Sequence, residues 1–218
     1  MAAMNEMMDK TGLLTVISGF SGVGKGTLVK KLLERYPEDY ALSVSATTRA
    51  PRPGEEHGRE YFFISRRSFK SLIRRGKLYE HAEYNGNFYG TPMEPVDRML
   101  SEGKNVILEI EVQGGLQIKE RFPDTFLLFI VPPDAATLKA RLTGRGTETA
   151  EQIRGRLLRA VEEAAVIPRY DDILVNGDLD TAVEELHRMI TEGLRSGTDL
   201  PELSLKLETE LKTLTEED

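Results

Sequence analysis

Residues 18–27 read SGFSGVGKGT and match a phosphate-binding loop at all of its defining positions except one. The usual pattern is G-x-x-x-x-G-K followed by serine or threonine, whose hydroxyl group holds Mg²⁺. Gly19, Gly24 and Lys25 occupy the expected places, but Gly26 stands where the hydroxyl is expected. The loop is therefore either damaged or part of an enzyme that holds its metal in another way.

The residues on both sides of the loop have the patterns that a phosphate loop requires. The run LLTVIS, residues 13–18, is apolar and rich in strand formers, whereas TLVKKLLERY, residues 27–36, has apolar residues at helical spacing. Backbone N–H groups of such a loop form an anion-binding concavity, and the following helix adds its partial positive charge. The sequence thus predicts a phosphate site in which Lys25 reaches the terminal phosphates.

The composition is that of one soluble α/β domain. The chain has 218 residues, of which 39% are hydrophobic and 30% charged, enough for a sizeable core. It contains no cysteine, which excludes disulfides, thiolate metal sites and cysteine catalysis and agrees with a cytoplasmic location. The first ten residues lack a signal-peptide core, and no apolar run approaches membrane-spanning length. The net charge of −7 argues against general nucleic-acid binding.

Apolar runs alternate with helical patterns along most of the chain. Further strands are predicted at residues 40–45, 105–112, 125–131 and 172–176, and helices at 94–102, 115–121, 134–143, 149–167 and 179–195. This alternation predicts an α/β fold with a parallel sheet flanked by helices. Residues from about 45 to 92 break the rhythm and are rich in Pro, Gly, Arg and Tyr. We interpret them as an insertion that carries a binding site.

The segment 198–218 is acidic and has leucines at helical spacing. We expect it to be a helix packed on the body or a partly disordered tail, and a helix that forms dimers is the alternative. We assign residues 1–197 to a single domain. Because the candidate site residues all precede residue 198, truncation there is expected to leave catalysis largely intact.

Three further stretches resemble the matching segments of guanylate kinases. They are SVSATTRAPRPGE (43–55), YEHAEYNGNFYGTP (79–92) and EIEVQGG (109–115), in the same order and at similar spacing behind the loop. The resemblance runs from about residue 12 to 194 and implies the phosphate-loop kinase fold. That fold has a monophosphate-binding insertion, here about 45–92, and a short mobile lid, here about 139–158. The activity implied is transfer of the γ-phosphoryl group of ATP to GMP, or to dGMP.

The resemblance also explains the missing hydroxyl. Nucleoside monophosphate kinases often read G-K-G-T at this point, so Gly26 is a family feature. The Mg²⁺ cofactor would then be held mainly by nucleotide phosphates and water, with Glu109 as a candidate ligand through water. Phe20 is a loop side chain where proline is common, and we expect it to have little effect. The ATP-binding residues implied are Gly19, Phe20, Ser21, Gly22, Val23, Gly24, Lys25, Gly26, Thr27 and, near the adenine, Asn176.

The resemblance places the GMP site in the insertion and in the strand that contains Glu109. Glu80 would read guanine by accepting hydrogen bonds from N1–H and N2–H, and Glu111 would take the second N2 proton. Glu109 and Glu111 alternate with Ile110 along the chain, and this alternation predicts that the two carboxylates share one face of a strand. Arg49 and Arg52 would bind the GMP phosphate together with Tyr61 and Tyr89, because guanidinium groups donate bidentately. Ser45 and Thr91 would donate hydrogen bonds to O6 of guanine.

The residues of the lid would close over the transferring phosphoryl group. With Lys25, the catalytic residues implied are Arg141, Arg145 and Arg156. Two alternatives remain: a guanylate-kinase-like module that has lost catalysis and binds proteins, and a kinase for another nucleoside monophosphate. The intact loop and arginines argue against the first. The expected partners are ATP and GMP, without nucleic-acid polymer or membrane, and the oligomeric state stays open.

Overall fold

The computed structural model describes residues 11–144 and 149–216. In chain order, its strands and helices are β1 (Leu14–Gly19), α1 (Lys25–Arg35), β2 (Tyr40–Leu42), β3 (Ala46–Thr47), β4 (Phe62–Phe63), α2 (Arg66–Arg74), β5 (Leu78–Tyr84), β6 (Asn87–Pro92), α3 (Met93–Ser101), β7 (Asn105–Glu109), α4 (Val112–Arg121), β8 (Phe126–Val131), α5 (Ala135–Thr143), α6 (Ala150–Ala164), β9 (Asp172–Val175), α7 (Leu179–Thr191) and α8 (Leu200–Glu216). Within the described ranges, no helix combines the length and apolar character that crossing a membrane requires.

The central sheet consists of five parallel strands in the order β2-β7-β1-β8-β9. All six residues of β8 are buried, from Phe126 to Val131. A strand that is buried at every position needs cover on both faces, as parallel sheets have when helices connect their strands. The predicted α/β fold with a helix-flanked parallel sheet is therefore confirmed.

Residues 46–92 form a small subdomain beside the central sheet. Its four short strands follow the order β4-β3-β6-β5, with α2 packed against β5 and β6. A separate apolar cluster holds it together, with Ala46, Phe69 and Leu78 at its centre. The strands and helix of this subdomain lie in the stretch from about 45 to 92, which we interpret from the sequence as an insertion.

The strand that contains Glu109 ends earlier than the sequence predicted. The apolar pattern predicted one strand through residue 112, but β7 ends at Glu109 and α4 begins at Val112. Glu111 is the extended N-cap of α4, so the prediction that both carboxylates share one strand face was wrong. The chain leaves the sheet at Ile110, whose carbonyl accepts a hydrogen bond of 2.9 Å from the Ser18 hydroxyl.

The acidic segment at the end of the chain is helical and belongs to the main core. Helix α8 packs against α6, α5 and a short 3-10 helix, Ile167–Arg169. Leu207 and Leu211 are only 2% and 1% exposed, and the Ser204 hydroxyl donates to the carbonyl of Ala164 at 2.8 Å. The described part of the tail is thus a helix packed on the body.

Replacing a buried leucine of α8 is expected to destabilise the whole domain. Leu211→Ala should lower the free energy of unfolding by about 2–5 kcal/mol, because it leaves a cavity in a filled core. Leu205→Ala, on the solvent-facing side with 67% exposure, should change it by less than about 0.5 kcal/mol. Urea denaturation followed by circular dichroism measures both.

Equal effects of these two variants would contradict the packing of α8. The same packing adds an expectation about stability for truncation after residue 197, whereas the expectation that catalysis stays largely intact remains a prediction. Since truncation removes the covering helix and exposes the surface beneath it, the shortened chain should unfold at a lower urea concentration than Leu211→Ala.

Candidate active site

The turn between β1 and α1 needs glycine where the backbone is left-handed and crowded. Gly24, the N-cap of α1, has a φ of 97°. A Cβ atom there would lie 2.8 Å from the amide nitrogen of Asn176. Gly26 differs, because its φ is not positive and an added Cβ would make an ordinary contact of 3.6 Å with Glu109. The missing hydroxyl at position 26 is therefore not a consequence of crowding.

Three side chains from distant parts of the chain hold this turn in place. The carbonyl of Val23 accepts hydrogen bonds from the Asn176 amide at 2.8 Å and from the Arg141 guanidinium at 3.0 Å. Arg156 donates to the hydroxyl of Ser21 at 2.9 Å. Two predicted lid arginines thus lie at the phosphate loop, whereas Arg145 lies outside the described residues.

The ammonium group of Lys25 lies over the same turn. It donates to the carbonyls of residues 19 and 20 at 2.7 and 3.2 Å. Burial lowers the pKa of Lys25, although the nearby carboxylates of Glu111, Glu109 and Glu163 act in the opposite direction. A phosphate oxygen that replaced the two carbonyls would give this half-buried cation a full counter-charge.

The sequence suggested that Phe20 is a loop side chain, but the structure does not place it on the loop surface. It is fully buried, and its ring packs edge-on against Phe129 with 5.1 Å between centroids. Its burial predicts instead that replacing it with a small residue would destabilise the domain. The ring meets Phe129 because β8 pairs with β1, the strand that leads into the turn.

A cleft of about 940 Å³ separates the central sheet from the small subdomain. The subdomain contributes carboxylate, hydroxyl and phenol groups, and the core contributes the loop lysine and further carboxylates. The predicted site residues that line it are Ser45, Tyr61, Glu80, Tyr89, Lys25, Glu109 and Glu111. The fold thus brings together residues from both halves of the predicted site, which lie far apart in sequence.

The carboxylate of Glu80 is the most deeply buried acid of this cleft among the predicted site residues. Glu80 is 7% exposed, and the hydroxyl of Thr91 donates to its Oε1 at 2.8 Å. Burial raises the pKa of Glu80, and the hydrogen bond from Thr91 opposes that shift. The sequence assigned the Thr91 proton to O6 of guanine, but a hydroxyl has one proton and this one is used to orient Glu80.

The main chain comes close to the other oxygen of Glu80. A Cβ atom added to Gly114 would lie 3.2 Å from Oε2 of Glu80. Gly114 belongs to the motif EIEVQGG, which by itself indicates no role for it. Its missing side chain leaves the space that this oxygen occupies.

The cluster around Arg49 contains an acid that sequence reasoning left unassigned. The Arg49 guanidinium forms two hydrogen bonds of 2.9 Å with Glu55, which also accepts from the backbone N–H of Arg52 at 2.7 Å. Arg49 holds the pKa of Glu55 at about 2. The guanidinium also lies 5.5 Å from the centre of the Tyr61 ring, which is 6.0 Å from that of Tyr89. Glu55 was detectable, since it ends the quoted stretch SVSATTRAPRPGE.

Arg159 and Glu163 are two of the charged residues of α6 that line the cleft, and both were missed. Arg159 donates to Glu111 at 2.8 Å and to Glu163 at 3.0 Å. Both lie outside the three stretches that resemble guanylate kinases, 43–55, 79–92 and 109–115. Only the approach of α6 to the N-terminus of α4 reveals them.

The comparisons with known proteins agree with this geometry. The family model described as guanylate kinase matches residues 11–193. The chain belongs to the guanylate kinase family. The resemblance inferred from the motifs is therefore confirmed, and α8 lies beyond the matched residues.

Relatives and a solved structure of this family cover most of the chain. It is 49% identical over 183 residues to a guanylate kinase of Streptococcus thermophilus (strain CNRZ 1066), covering 84% of this chain and 88% of that protein. It is 51% identical over 179 residues to one of Synechococcus sp. (strain CC9902), covering 82% and 95%. The crystal structure of guanylate kinase from Anaplasma phagocytophilum is similar with a TM-score of 0.62 at 28% identity, covering 87% and 89%.

The two glycines around Lys25 are expected to respond differently to substitution. Gly24→Ala should lower ATP affinity by more than tenfold, because its Cβ meets Asn176 at 2.8 Å and its φ is left-handed. Gly26→Ser should stay within about tenfold of the parent, about 1.4 kcal/mol. Titration calorimetry with ATP and Mg²⁺ measures both affinities. If Gly26→Ser loses as much affinity as Gly24→Ala, position 26 needs glycine for its own backbone.

Proposed function

We propose that the protein transfers the γ-phosphoryl group of ATP to GMP and produces ADP and GDP. The observation that carries this proposal is the buried carboxylate of Glu80, which faces the same cleft as the phosphate-loop lysine, Lys25. One side of the cleft suits a guanine base and the other suits a triphosphate. Membership of the guanylate kinase family supports the same reaction.

Guanine is the base that fits a buried, ionised carboxylate. Its N1–H and N2–H donors lie side by side, so Glu80 can accept from both with its two oxygens. Adenine has no donor at these positions and would leave the carboxylate buried without a partner, which costs free energy. Ser45 lines the same cleft and has a hydroxyl that can donate to O6.

The phosphate of GMP is proposed to bind at the Arg49 cluster. Glu55 holds Arg49 and the backbone of Arg52 in a fixed arrangement. Tyr61 and Tyr89 add phenol groups that donate hydrogen bonds to phosphate oxygens. A dianion would compete with Glu55 for the Arg49 guanidinium, so we expect this ion pair to rearrange when GMP binds.

Phosphoryl transfer requires in-line positioning and neutralised charge more than covalent participation by the protein. Lys25, Arg141 and Arg156 converge on the phosphate loop and supply positive charge there. Holding donor and acceptor in one cleft makes a two-substrate reaction effectively intramolecular. Arg145 is assigned to the same task from the sequence pattern.

Mg²⁺ fits this site through nucleotide phosphates and water. Within the described residues, no group of three or more His, Cys, Asp or Glu side chains could hold a metal ion. Glu109 lies beside the backbone of Gly26, at the position from which other phosphate loops supply a hydroxyl. It would hold the ion through water, which Mg²⁺ releases reluctantly. When bound, the ion neutralises charge on the β- and γ-phosphates.

Use of dGMP as a substrate and a cytoplasmic location of the protein stay predictions.

Substrate discrimination tests the proposed reaction. The kcat/KM for GMP should exceed that for AMP by about 10⁴ or more, because a site built to accept hydrogen bonds rejects an analogue without donors. Glu80→Gln should raise the KM for GMP and leave the KM for ATP near that of the parent, whereas Glu94→Gln, exposed on α3, should change neither. A coupled assay of ADP release measures all four values. Comparable kcat/KM for AMP and GMP would exclude the assignment.

The pH dependence of GMP binding tests the role of Glu80 separately. Glu80 accepts two hydrogen bonds only when it is ionised, and burial raises its pKa. GMP affinity should therefore be full at pH values above that raised pKa and decrease as the pH falls through it. Calorimetric titration across a pH series measures the decrease. In Glu80→Gln, this contribution to the pH dependence should be absent, and its persistence would assign the titration to another group.

A further inference from the structure

The charge contact between α6 and the start of α4 is unaccounted for by the proposed roles of the site residues. Arg159 of α6 donates to Glu111 across the cleft at 2.8 Å. Resting on the proposed use of GMP, we propose that Arg159 is a positioning residue that holds Glu111 in the orientation that reads the N2 amino group of guanine.

Arg159 is itself fixed by a carboxylate one helical turn away. Its Nε donates to Oε1 of Glu163 at 3.0 Å, and its Nη2 donates to Glu111. Glu163 is only 7% exposed, so it is held by the packing of α6. A guanidinium group is planar, and two carboxylates at two of its edges restrict its orientation. The buried acid thus determines where the Arg159 fork points.

Glu111 needs such a holder more than the buried Glu80 does. Its side chain is 75% exposed. Among the described residues, the Glu111 carboxylate accepts a hydrogen bond from Arg159. A glutamate with three free side-chain torsions loses rotamer entropy when it binds a ligand. An ion pair formed before GMP arrives removes part of that loss, which is a gain from preorganisation.

The geometry leaves one oxygen of Glu111 for the base. Arg159 donates to Oε2 of Glu111, so Oε1 can accept the second N2 proton of guanine. Glu80 would accept the first N2 proton together with N1–H. Arg159 also places positive charge beside Glu111 and Glu163 in the cleft that all three line, and the proposed substrates of this cleft are anionic. The pair therefore combines orientation of a reader with charge balance.

Affinities for GMP and IMP isolate this role, because IMP has the same base edge without the N2 amino group. Arg159→Ala should weaken GMP binding by about three- to tenfold, the effect of one hydrogen bond, and change IMP binding by less than about twofold. Arg159→Lys should have an intermediate effect, since an ammonium group keeps the charge but loses the planar fork. Isothermal titration calorimetry with each nucleotide gives the ratio of affinities.

Two further variants test the chain of contacts. In a Glu111→Gln background, Arg159→Ala should no longer change the GMP to IMP ratio, because interacting residues are not additive. Glu163→Gln should lower the ratio in the same direction and by less, since it weakens the anchor of Arg159. The matched control is Arg188→Ala, which removes the pair of Arg188 on α7 with its C-cap Glu192, of the same spacing, 3.2 Å long and outside the cleft.

The outcomes separate the proposal from its rivals. An equal loss of GMP and IMP affinity in Arg159→Ala, or no loss, overturns it. A lower kcat with an unchanged ratio also overturns it and would place Arg159 at the transferring phosphoryl group. If Arg159→Ala does not fold, because Glu163 is left buried and unpaired, Arg159→Lys and Glu163→Gln decide the question. A parent protein that does not bind GMP contradicts the proposed function itself.

Discussion

The carbonyl of Val23 and the left-handed turn that follows it are the constraint on which the rest of the cleft depends. A loop can bind phosphate only if its N–H groups face outward, and its carbonyls must then find donors on the inner side. Asn176 and Arg141 supply those donors at 2.8 and 3.0 Å. The carboxyl end of β9 and the last turn of α5 are therefore tied to the loop between β1 and α1. Gly24 makes the turn possible, because any Cβ would displace Asn176.

The other half of the cleft is organised by carboxylates that need partners before a substrate arrives. Glu80 is oriented by Thr91, Glu55 by Arg49, and Glu111 by Arg159. In the free protein, each of these carboxylates accepts a hydrogen bond from a protein group. When a nucleotide binds, that hydrogen bond either remains or is replaced by one to the nucleotide. For Glu80, which is buried, an ionised carboxylate without such a partner would cost several kcal/mol. The distribution of acids and bases in the cleft thus serves the stability of the free protein as well as recognition.

Much of the fold was predictable because its signals are local. The five strands of the central sheet and the turn after β1 follow from apolar runs, helical spacing and three glycines. The end of β7 was not predictable, since an apolar run that continues into a helix looks like a longer strand. The burial of Phe20 was also missed, because nothing near it in sequence indicates that its ring packs against Phe129 of β8. The pattern of α8 predicted a helix packed on the body or a partly disordered tail, and only its contacts with α5 and α6 decided for the packed helix.

By itself, the sequence determined the class of ligand and the family, because a phosphate loop and its neighbouring motifs are contiguous stretches whose spacing can be read directly. Only the tertiary structure decided which side chains meet. Glu80, Glu111 and Arg159 come from β5, the start of α4 and the middle of α6, and the packing of these elements brings them to one cleft. The single proton of Thr91 is directed to Glu80 for the same reason. Hydrogen-bond partners and burial depend on contacts between distant segments, and the periodicity of a sequence carries no record of them.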